Sequence, residues 1–105
     1  MGRLSPKDIR TMRQNAGEAA SMLRVLSHEA RLSVLCDLVA GERTAGALVE
    51  SSGLSQSALS QHLAKLREEG LVTTRREAQT IFYRLADPKV ERLIGMLHEL
   101  YCKRN

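Results

Sequence analysis

The sequence has very few aromatic residues. Among its 105 residues there is no tryptophan, and the phenylalanine and tyrosines are only Phe82, Tyr83 and Tyr101. Proteins that hold single-stranded nucleic acid stack its bases on several aromatic side chains. Three such residues, two of them adjacent, are too few for a stacking platform. Any nucleic-acid partner is therefore expected to be a duplex.

Long apolar runs and cysteines are scarce as well. No apolar run approaches the roughly 20 residues that span a bilayer, and the start of the chain lacks the apolar segment of a signal peptide. Cys36 and Cys102 lie 66 positions apart and form no Cys-x-x-Cys motif, which excludes the dense disulfide framework of small secreted domains. We expect a cytoplasmic protein without a membrane partner, whose cysteines begin as thiols.

The remaining composition is that of one folded, basic domain. Apolar residues make up 43% of the chain and charged residues 27%, so residues 1–105 are predicted to form a single domain with one core. The net charge is +4, of which residues 1–14 carry +3 and residues 54–86 carry +2, whereas residues 15–53 carry −2. A basic N-terminal arm and a basic second half favour a polyanionic partner.

Capping residues and helix terminators divide the first 70 residues into four predicted helices. They are residues 6–25, with Gly17 as a point of interruption, the segment from the Ser27 cap to Gly41, residues 45–51, and the segment from the Ser55 cap to Glu69. In the second helix, Leu32, Leu35, Cys36 and Val39 share one face. This spacing predicts that Cys36 is on the buried side.

A helix-turn-helix and a hairpin follow from the next signals. The third and fourth predicted helices are separated by a tight turn at Ser52-Gly53-Leu54. Residues 71–76 and 80–85 are rich in Val, Thr, Ile, Phe and Tyr, and Glu77-Ala78-Gln79 joins them as a hairpin loop. Asp87-Pro88 then caps a last helix with an apolar stripe. The predicted fold is a mainly α winged helix-turn-helix in the order αααα-ββ-α, with a two-stranded β-wing.

The second helix of this motif has a polar face suited to a DNA major groove. Gln and Ser contact base edges, and Lys or Arg contact guanine or phosphate. An ordinary solvated helix face has the same pattern, so spacing alone leaves both interpretations open, and the cations of the hairpin favour DNA. The predicted DNA-binding residues are Gln56, Ser57, Ser60, Gln61, His62, Lys65 and Arg67 on the helix and Arg75, Arg76 and Arg84 on the hairpin.

One reading helix covers only a few base pairs, so specific binding usually requires a two-fold dimer with two such helices about one turn of DNA apart. The first and last predicted helices have apolar stripes left over for this contact. The predicted dimer residues are Ala16, Ala19, Ala20, Leu23, Leu93, Leu97 and Tyr101. The same residues could instead close the core of a monomer.

Several blocks of sequence resemble one protein family. They are Leu26-Ser27-His28-Glu29-Ala30-Arg31-Leu32, residues 54–63 (LSQSALSQHL), Gly70-Leu71-Val72 and Phe82-Tyr83-Arg84-Leu85. Together they are similar to ArsR/SmtB-type winged-helix repressors across nearly the whole chain. The resemblance implies a homodimer that represses transcription from duplex operator DNA until an inducer releases it.

Many members of that family sense metals, but the matching positions here lack suitable ligands. In place of one family site, a Cys-x-Cys, this chain has Thr44 and Gly46. In place of the other, on the last helix, Asp87 is followed by Lys89, Leu100 and Lys103. Lysine and leucine cannot complete a zinc shell. We expect no metal and no cofactor.

The cysteines resemble those of the sulfane-sulfur-sensing branch of the family, which includes BigR, SqrR and HlyU. From the residues alone, two cysteines in a helical protein most often serve packing. The resemblance implies that Cys36 and Cys102 are a redox-sensing pair and that the inducer is a reactive sulfur species. Lys103 and Arg104 favour Cys102 as the first attacker, whereas a helix C-terminus disfavours its thiolate, so the order stays open.

We therefore predict a sequence-specific repressor that leaves its operator when the cysteine pair reacts with persulfide or polysulfide. A second interpretation is an activator that displaces a silencing protein and senses peroxide or another oxidant through its thiols. A third is a winged helix that only binds other proteins. An enzyme is not expected, because there is neither a Cys-x-x-Cys motif nor a Cys/His/Asp arrangement with a supporting pocket.

Overall fold

A computed structural model describes residues 3–102, so Lys103 and Arg104 lie outside the described residues, as do the first two residues of the basic arm. Within residues 3–102, five helices and three strands follow one another. Their bounds are α1 Pro6–Leu26, α2 Glu29–Val39, β1 Arg43–Thr44, α3 Ala45–Ser52, α4 Gln56–Glu68, β2 Val72–Glu77, β3 Thr80–Leu85 and α5 Pro88–Tyr101. The predicted winged helix-turn-helix is confirmed, with β1 as an additional strand.

The helices begin where side chains satisfy their first amides. Ser5 and Asp8 form a capping box at the start of α1, and Ser55 Oγ accepts a hydrogen bond of 3.1 Å from the Ala58 amide at the start of α4. Helix α3 ends at Gly53, whose φ of 73° is a left-handed conformation that costs glycine little. This turn directs the chain from α3 into α4.

The hairpin is part of a three-stranded antiparallel sheet in the order β1-β3-β2. β2 and β3 pair from Val72↔Leu85 to Glu77↔Thr80, so the loop at the tip contains only Ala78 and Gln79 and is one residue shorter than predicted. The two residues of β1 pair with the middle strand, β3. The sequence does not predict β1, because two residues cannot show an alternating pattern.

One hydrophobic core joins the helices to the base of the sheet. Leu59, Leu63 and Leu66 form the buried face of α4, as their spacing predicts. Each fully buried side chain of this size stabilises the fold by about 1.5–3 kcal/mol, so α4 is held firmly against the rest. The remaining core residues are Val25, Leu26, Val34, Leu35, Leu38, Leu48, Leu71, Val72, Val90 and Ile94. Among the described helices, none combines the length and apolarity needed to cross a membrane.

The junction of α1 and α2 differs from the prediction. Helix α1 continues through Gly17 without interruption. Ser27 ends α1, and its Oγ donates a 2.9 Å hydrogen bond to the Arg24 carbonyl, so it is not the cap of α2. His28 takes that role, because its Nδ1 accepts a 3.2 Å hydrogen bond from the Ala30 amide.

The buried face of α2 is also rotated from the predicted one. The buried residues are Val34, Leu35 and Leu38, whereas Cys36 and Val39 are exposed. The prediction that Cys36 is on the buried side is therefore wrong. Apolar residues occur around most of the circumference of α2, so their spacing does not decide which face packs. Contacts of α2 with α3, β3, α5, α1 and α4 decide it instead.

Candidate DNA-binding surface and cysteine pair

The first two turns of α4 present a short polar surface. Gln56, Ser57, Ser60 and Gln61 are all exposed, and the leucines on the opposite side anchor the helix in the core. Hydrogen-bonding side chains near the N-terminus of a firmly packed helix are suited to base edges in a major groove. Arg67 is exposed further along the same helix.

Two other predicted DNA contacts of α4 are engaged within the protein. The centroid of the His62 ring lies 4.6 Å from that of His28, with the rings tilted by 58°. Partial burial, followed by the effect of His28, lowers the pKa of His62 and favours its neutral form. Lys65 Nζ lies 3.5 Å from Glu69 Oε2. As DNA contacts, His62 and Lys65 stay predictions. The His62 contact joins α4 to the start of α2, whereas the Lys65 ion pair lies within α4 and its C-cap.

The three predicted arginines of the wing differ in their surroundings. Arg76 and Arg84 are exposed and form no ion pair within residues 3–102. Arg75 is bound on two sides: its Nε and Nη2 lie 2.9 Å from the carboxylate of Glu42, and its Nη1 lies 2.8 Å from Glu77 Oε2. Hydrogen bonds to Glu77 and then Glu42 raise the pKa of Arg75. Glu42 could not be predicted from the sequence, because β1 is too short to indicate that this segment lies beside the wing.

The two cysteines belong to neighbouring helices. Cys36 on α2 and Cys102 at the C-cap of α5 are both exposed, and α2 and α5 are in contact. Partial burial, then the Asp37 carboxylate, then Cys102, raises the pKa of the Cys36 thiol. A protonated thiol is a poor nucleophile, which disfavours Cys36 as the first attacker. Asp37 Oδ2 also accepts a 2.5 Å hydrogen bond from Ser51 Oγ, which connects the helix of Cys36 to α3.

In the part of the chain that the structure describes, potential metal ligands are not assembled into a site. Within residues 3–102, no group of three or more His, Cys, Asp or Glu side chains is arranged to hold an ion. Asp87, the first position compared with the family's last-helix site, is the N-cap of α5, and its Oδ1 accepts a 2.9 Å hydrogen bond from the Lys89 amide.

Comparison with known proteins identifies the family. The pattern described as "Bacterial regulatory protein, arsR family" matches residues 28–74, from the α2 cap through α3 and α4 into β2. The transcriptional activator HlyU of Vibrio cholerae is 46% identical over 101 residues, which cover 96% of this chain and 94% of that relative. This chain belongs to the ArsR family. It is thus a winged-helix, DNA-binding transcription regulator.

Solved structures of similar proteins agree with this fold. Reduced HlyU from Vibrio cholerae has a TM-score of 0.83 at 48% identity, covering 90% of this chain and 99% of that one. The repressor BigR from Xylella fastidiosa has a TM-score of 0.86 at 40% identity, covering 96% and 100%. A homodimeric winged helix-turn-helix DNA-binding domain from Mycobacterium bovis has a TM-score of 0.71 at 29% identity, covering 95% and 89%.

Away from the reading helix, this ArsR-family chain has an open apolar groove between α1 and α5. The groove measures about 570 Å³, and its lining includes Met12, Ala19, Met22, Leu23 and Leu93. Of the residues predicted to form a dimer, Ala16, Leu23 and Tyr101 are exposed, and Ala19, Ala20, Leu93 and Leu97 are partly buried. Leu93 and Leu97 also pack against the core of their own chain.

Proposed function

We propose that this chain is a dimeric, sequence-specific repressor that releases operator DNA when Cys36 and Cys102 react with a persulfide or polysulfide. The observation that carries the proposal is the pair of exposed thiols on two helices in contact, one of which, α5, also lines the apolar groove. The similarity to HlyU, a relative solved in its reduced form, supports the same interpretation.

The chemistry transfers sulfur to one cysteine and then joins the pair. The Cys102 thiolate attacks the outer sulfur of a persulfide R–S–SH, whose S–S bond breaks, and R–S⁻ leaves and takes up a proton. The Cys36 thiolate then attacks Cys102 Sγ and expels hydrosulfide, which forms a disulfide. If Cys36 has also acquired a sulfur, the same attack leaves a bridge of three sulfur atoms. The cysteine pair is oxidised by two electrons, and the persulfide is the oxidant.

Dimerisation is part of the proposal, because α1 has little to pack against in its own chain. Only Val25 and Leu26 of its 21 residues are buried. Helices in water are stabilised mainly by packing of an apolar face, and Met12 and Leu23 of α1 remain exposed. A second copy that covers the α1 and α5 groove would supply this packing, and the similar winged helix-turn-helix domain from Mycobacterium bovis is homodimeric.

A bridge between α2 and α5 would act on DNA binding through the dimer. Tying these helices together moves α5 relative to the groove and so changes the spacing of the two α4 helices, which must match one turn of DNA. A small change in that spacing weakens both contacts at once, which is how a local covalent change lowers operator affinity.

The test uses a fluorescent duplex that the reduced protein selects from a random-sequence pool. Polysulfide is expected to raise the wild-type Kd at least about tenfold, and mass spectrometry is expected to find a Cys36–Cys102 bridge whose mass gives the number of sulfur atoms. Cys36→Ser and Cys102→Ser should keep their affinity after treatment. Ser33→Ala, an exposed change on α2, is the matched control and should respond as wild type does.

Continued release by either cysteine variant would show that the dithiol mechanism is wrong. The same protein treated with peroxide tests the inducer class. An equally efficient intramolecular bridge with peroxide would indicate a general thiol oxidation sensor.

The sign of regulation is a separate question, because HlyU of Vibrio cholerae is named an activator and BigR a repressor. Deletion of the gene is expected to raise transcription from the promoter that the protein occupies. A fall in transcription after deletion would favour the activator, which binds the same DNA but displaces a silencing protein.

A further inference from the structure

The side chain of Arg75 spans the three-stranded sheet. It starts on the edge strand β2, and its guanidinium carbon lies 4.5 Å from the centroid of the Phe82 ring on the middle strand β3. It ends at Glu42, the residue just before β1, where Nε donates to both carboxylate oxygens at 2.9 Å. A guanidinium on an aromatic face, with a fork of hydrogen bonds to one carboxylate, is a well-defined geometry.

The register explains how one side chain reaches this far. Arg75 is opposite Phe82, and Phe82 is opposite Thr44 of β1 on its other side. Directly opposite residues of neighbouring strands point to the same face of the sheet, so Arg75 and Phe82 share one face. On that face, the Arg75 side chain reaches Glu42 along a diagonal across the strands. The contact joins the wing to the segment that leads from α2 into the helix-turn-helix.

The surrounding charge also argues against a phosphate contact. Arg75 contributes one positive charge, while Glu42 and Glu77, both in hydrogen bonds with it, contribute two negative ones. A DNA phosphate that binds Arg75 would have to displace one of these carboxylates, and both carboxylates would repel it. Arg76 and Arg84 have no such partners within residues 3–102.

We propose that Arg75 is a positioning residue that fixes the wing relative to α4, and that the wing contacts the DNA backbone through Arg76 and Arg84. The proposal rests on the DNA binding of the family and is independent of sulfur sensing. It assigns Glu42, an acidic residue, a favourable role in binding a polyanion.

Glu42→Gln separates positioning from simple electrostatics. Removal of a negative charge near DNA should tighten binding if charge alone matters. If Glu42 holds Arg75 and thereby the wing, the same substitution should weaken binding about three- to tenfold. The measurement is the Kd of reduced protein for the selected duplex, with circular dichroism to verify folding.

Arg75→Lys and Arg84→Gln complete the test. Lys keeps the charge but cannot form the guanidinium fork, so Arg75→Lys should lose affinity as Arg75→Gln does, with an unchanged dependence of log Kd on log salt. Arg76→Gln and Arg84→Gln should each reduce that slope by about 0.9 per protomer, since each removes a phosphate contact.

Three results would overturn the proposal. They are tighter binding by Glu42→Gln, full affinity of Arg75→Lys, and a slope that falls by about 0.9 in Arg75→Gln but not in Arg84→Gln. None of these results depends on whether the protein senses sulfur, because all measurements are made on reduced protein. If Arg75→Gln does not fold, the Glu42→Gln and Arg75→Lys results decide.

Discussion

Asp37 is the charged residue that most directly changes the chemistry of Cys36. Its carboxylate is the largest contribution after burial to the raised pKa of that thiol. Asp37→Asn should therefore lower the pKa of Cys36 and move the midpoint of its alkylation by iodoacetamide to lower pH, because the thiolate no longer faces a neighbouring negative charge. The rate is measured against pH in the Cys102→Ser background, so that only one thiol reacts.

Glu29→Gln is the control for that measurement. It removes an exposed carboxylate from the first turn of α2, and Glu29 is not among the groups that raise the pKa of Cys36. An unchanged alkylation midpoint in Asp37→Asn would mean that Asp37 does not control the thiol. The Ser51 hydrogen bond to Asp37 would then be purely structural.

At the scale of elements, the contact between the tilted imidazoles of His28 and His62 joins the start of α2 to α4. Because folding lowers the pKa of His62 from its ordinary value of 6.5, the unfolded chain binds a proton more readily than the folded one. The stability contributed by neutral His62 is therefore complete above about pH 6.5 and is lost as the pH falls below it. Thermal unfolding of wild type should show a Tm that decreases from pH 7 to pH 5.

His62→Gln should reduce this decrease in Tm, because the titrating group is absent. The matched control is His98→Gln, an exposed histidine on α5, which should keep the wild-type pH dependence. If Tm decreases by the same amount in wild type and in His62→Gln between pH 7 and pH 5, the α2–α4 junction does not cause the decrease.

The wing tip contains the one non-glycine residue of the described chain with a left-handed backbone, Ala78, at φ 56°. This conformation costs a non-glycine residue roughly 1–2 kcal/mol, while glycine loses about 0.5–1 kcal/mol more backbone entropy on folding. Ala78→Gly should therefore stabilise the protein by up to about 1 kcal/mol, measured by urea unfolding. Ala64→Gly, in the exposed interior of α4, should destabilise it by about 1 kcal/mol, and equal effects would contradict the argument.

The sequence predicts elements with strong local signals and fails where tertiary contacts decide. The Ser55 cap and the buried leucines place α4 correctly, because both signals lie within the helix itself. The predicted buried face of α2 is wrong. Apolar residues surround that helix, so only its contacts with neighbouring elements select the packed side. β1 was missed because its two residues acquire a strand conformation by pairing with β3.

The candidate site shows the same limit. Gln56, Ser57, Ser60 and Gln61 are exposed where the helical wheel places them. The partners of Arg75 and His62 could not be predicted, because Glu42 and His28 come from other elements and the contacts exist only after folding.

At the scale of the whole molecule, Leu23 tests the proposed dimer directly. It lies on α1 in the groove with Leu93 and is 52% exposed, so a charge there would be harmless in a monomer but buried in a dimer. Leu23→Glu should therefore convert a particle of twice the chain mass into a single chain in sedimentation experiments, with little change in helix content. Because a monomer brings only one α4 to DNA, its affinity should fall on the order of a hundredfold. Ile81→Glu is the matched control: it is also exposed, at 39%, but lies on the wing, and should keep the mass of the dimer. If Leu23→Glu also stays at twice the chain mass, the two copies meet through a surface other than α1 and α5.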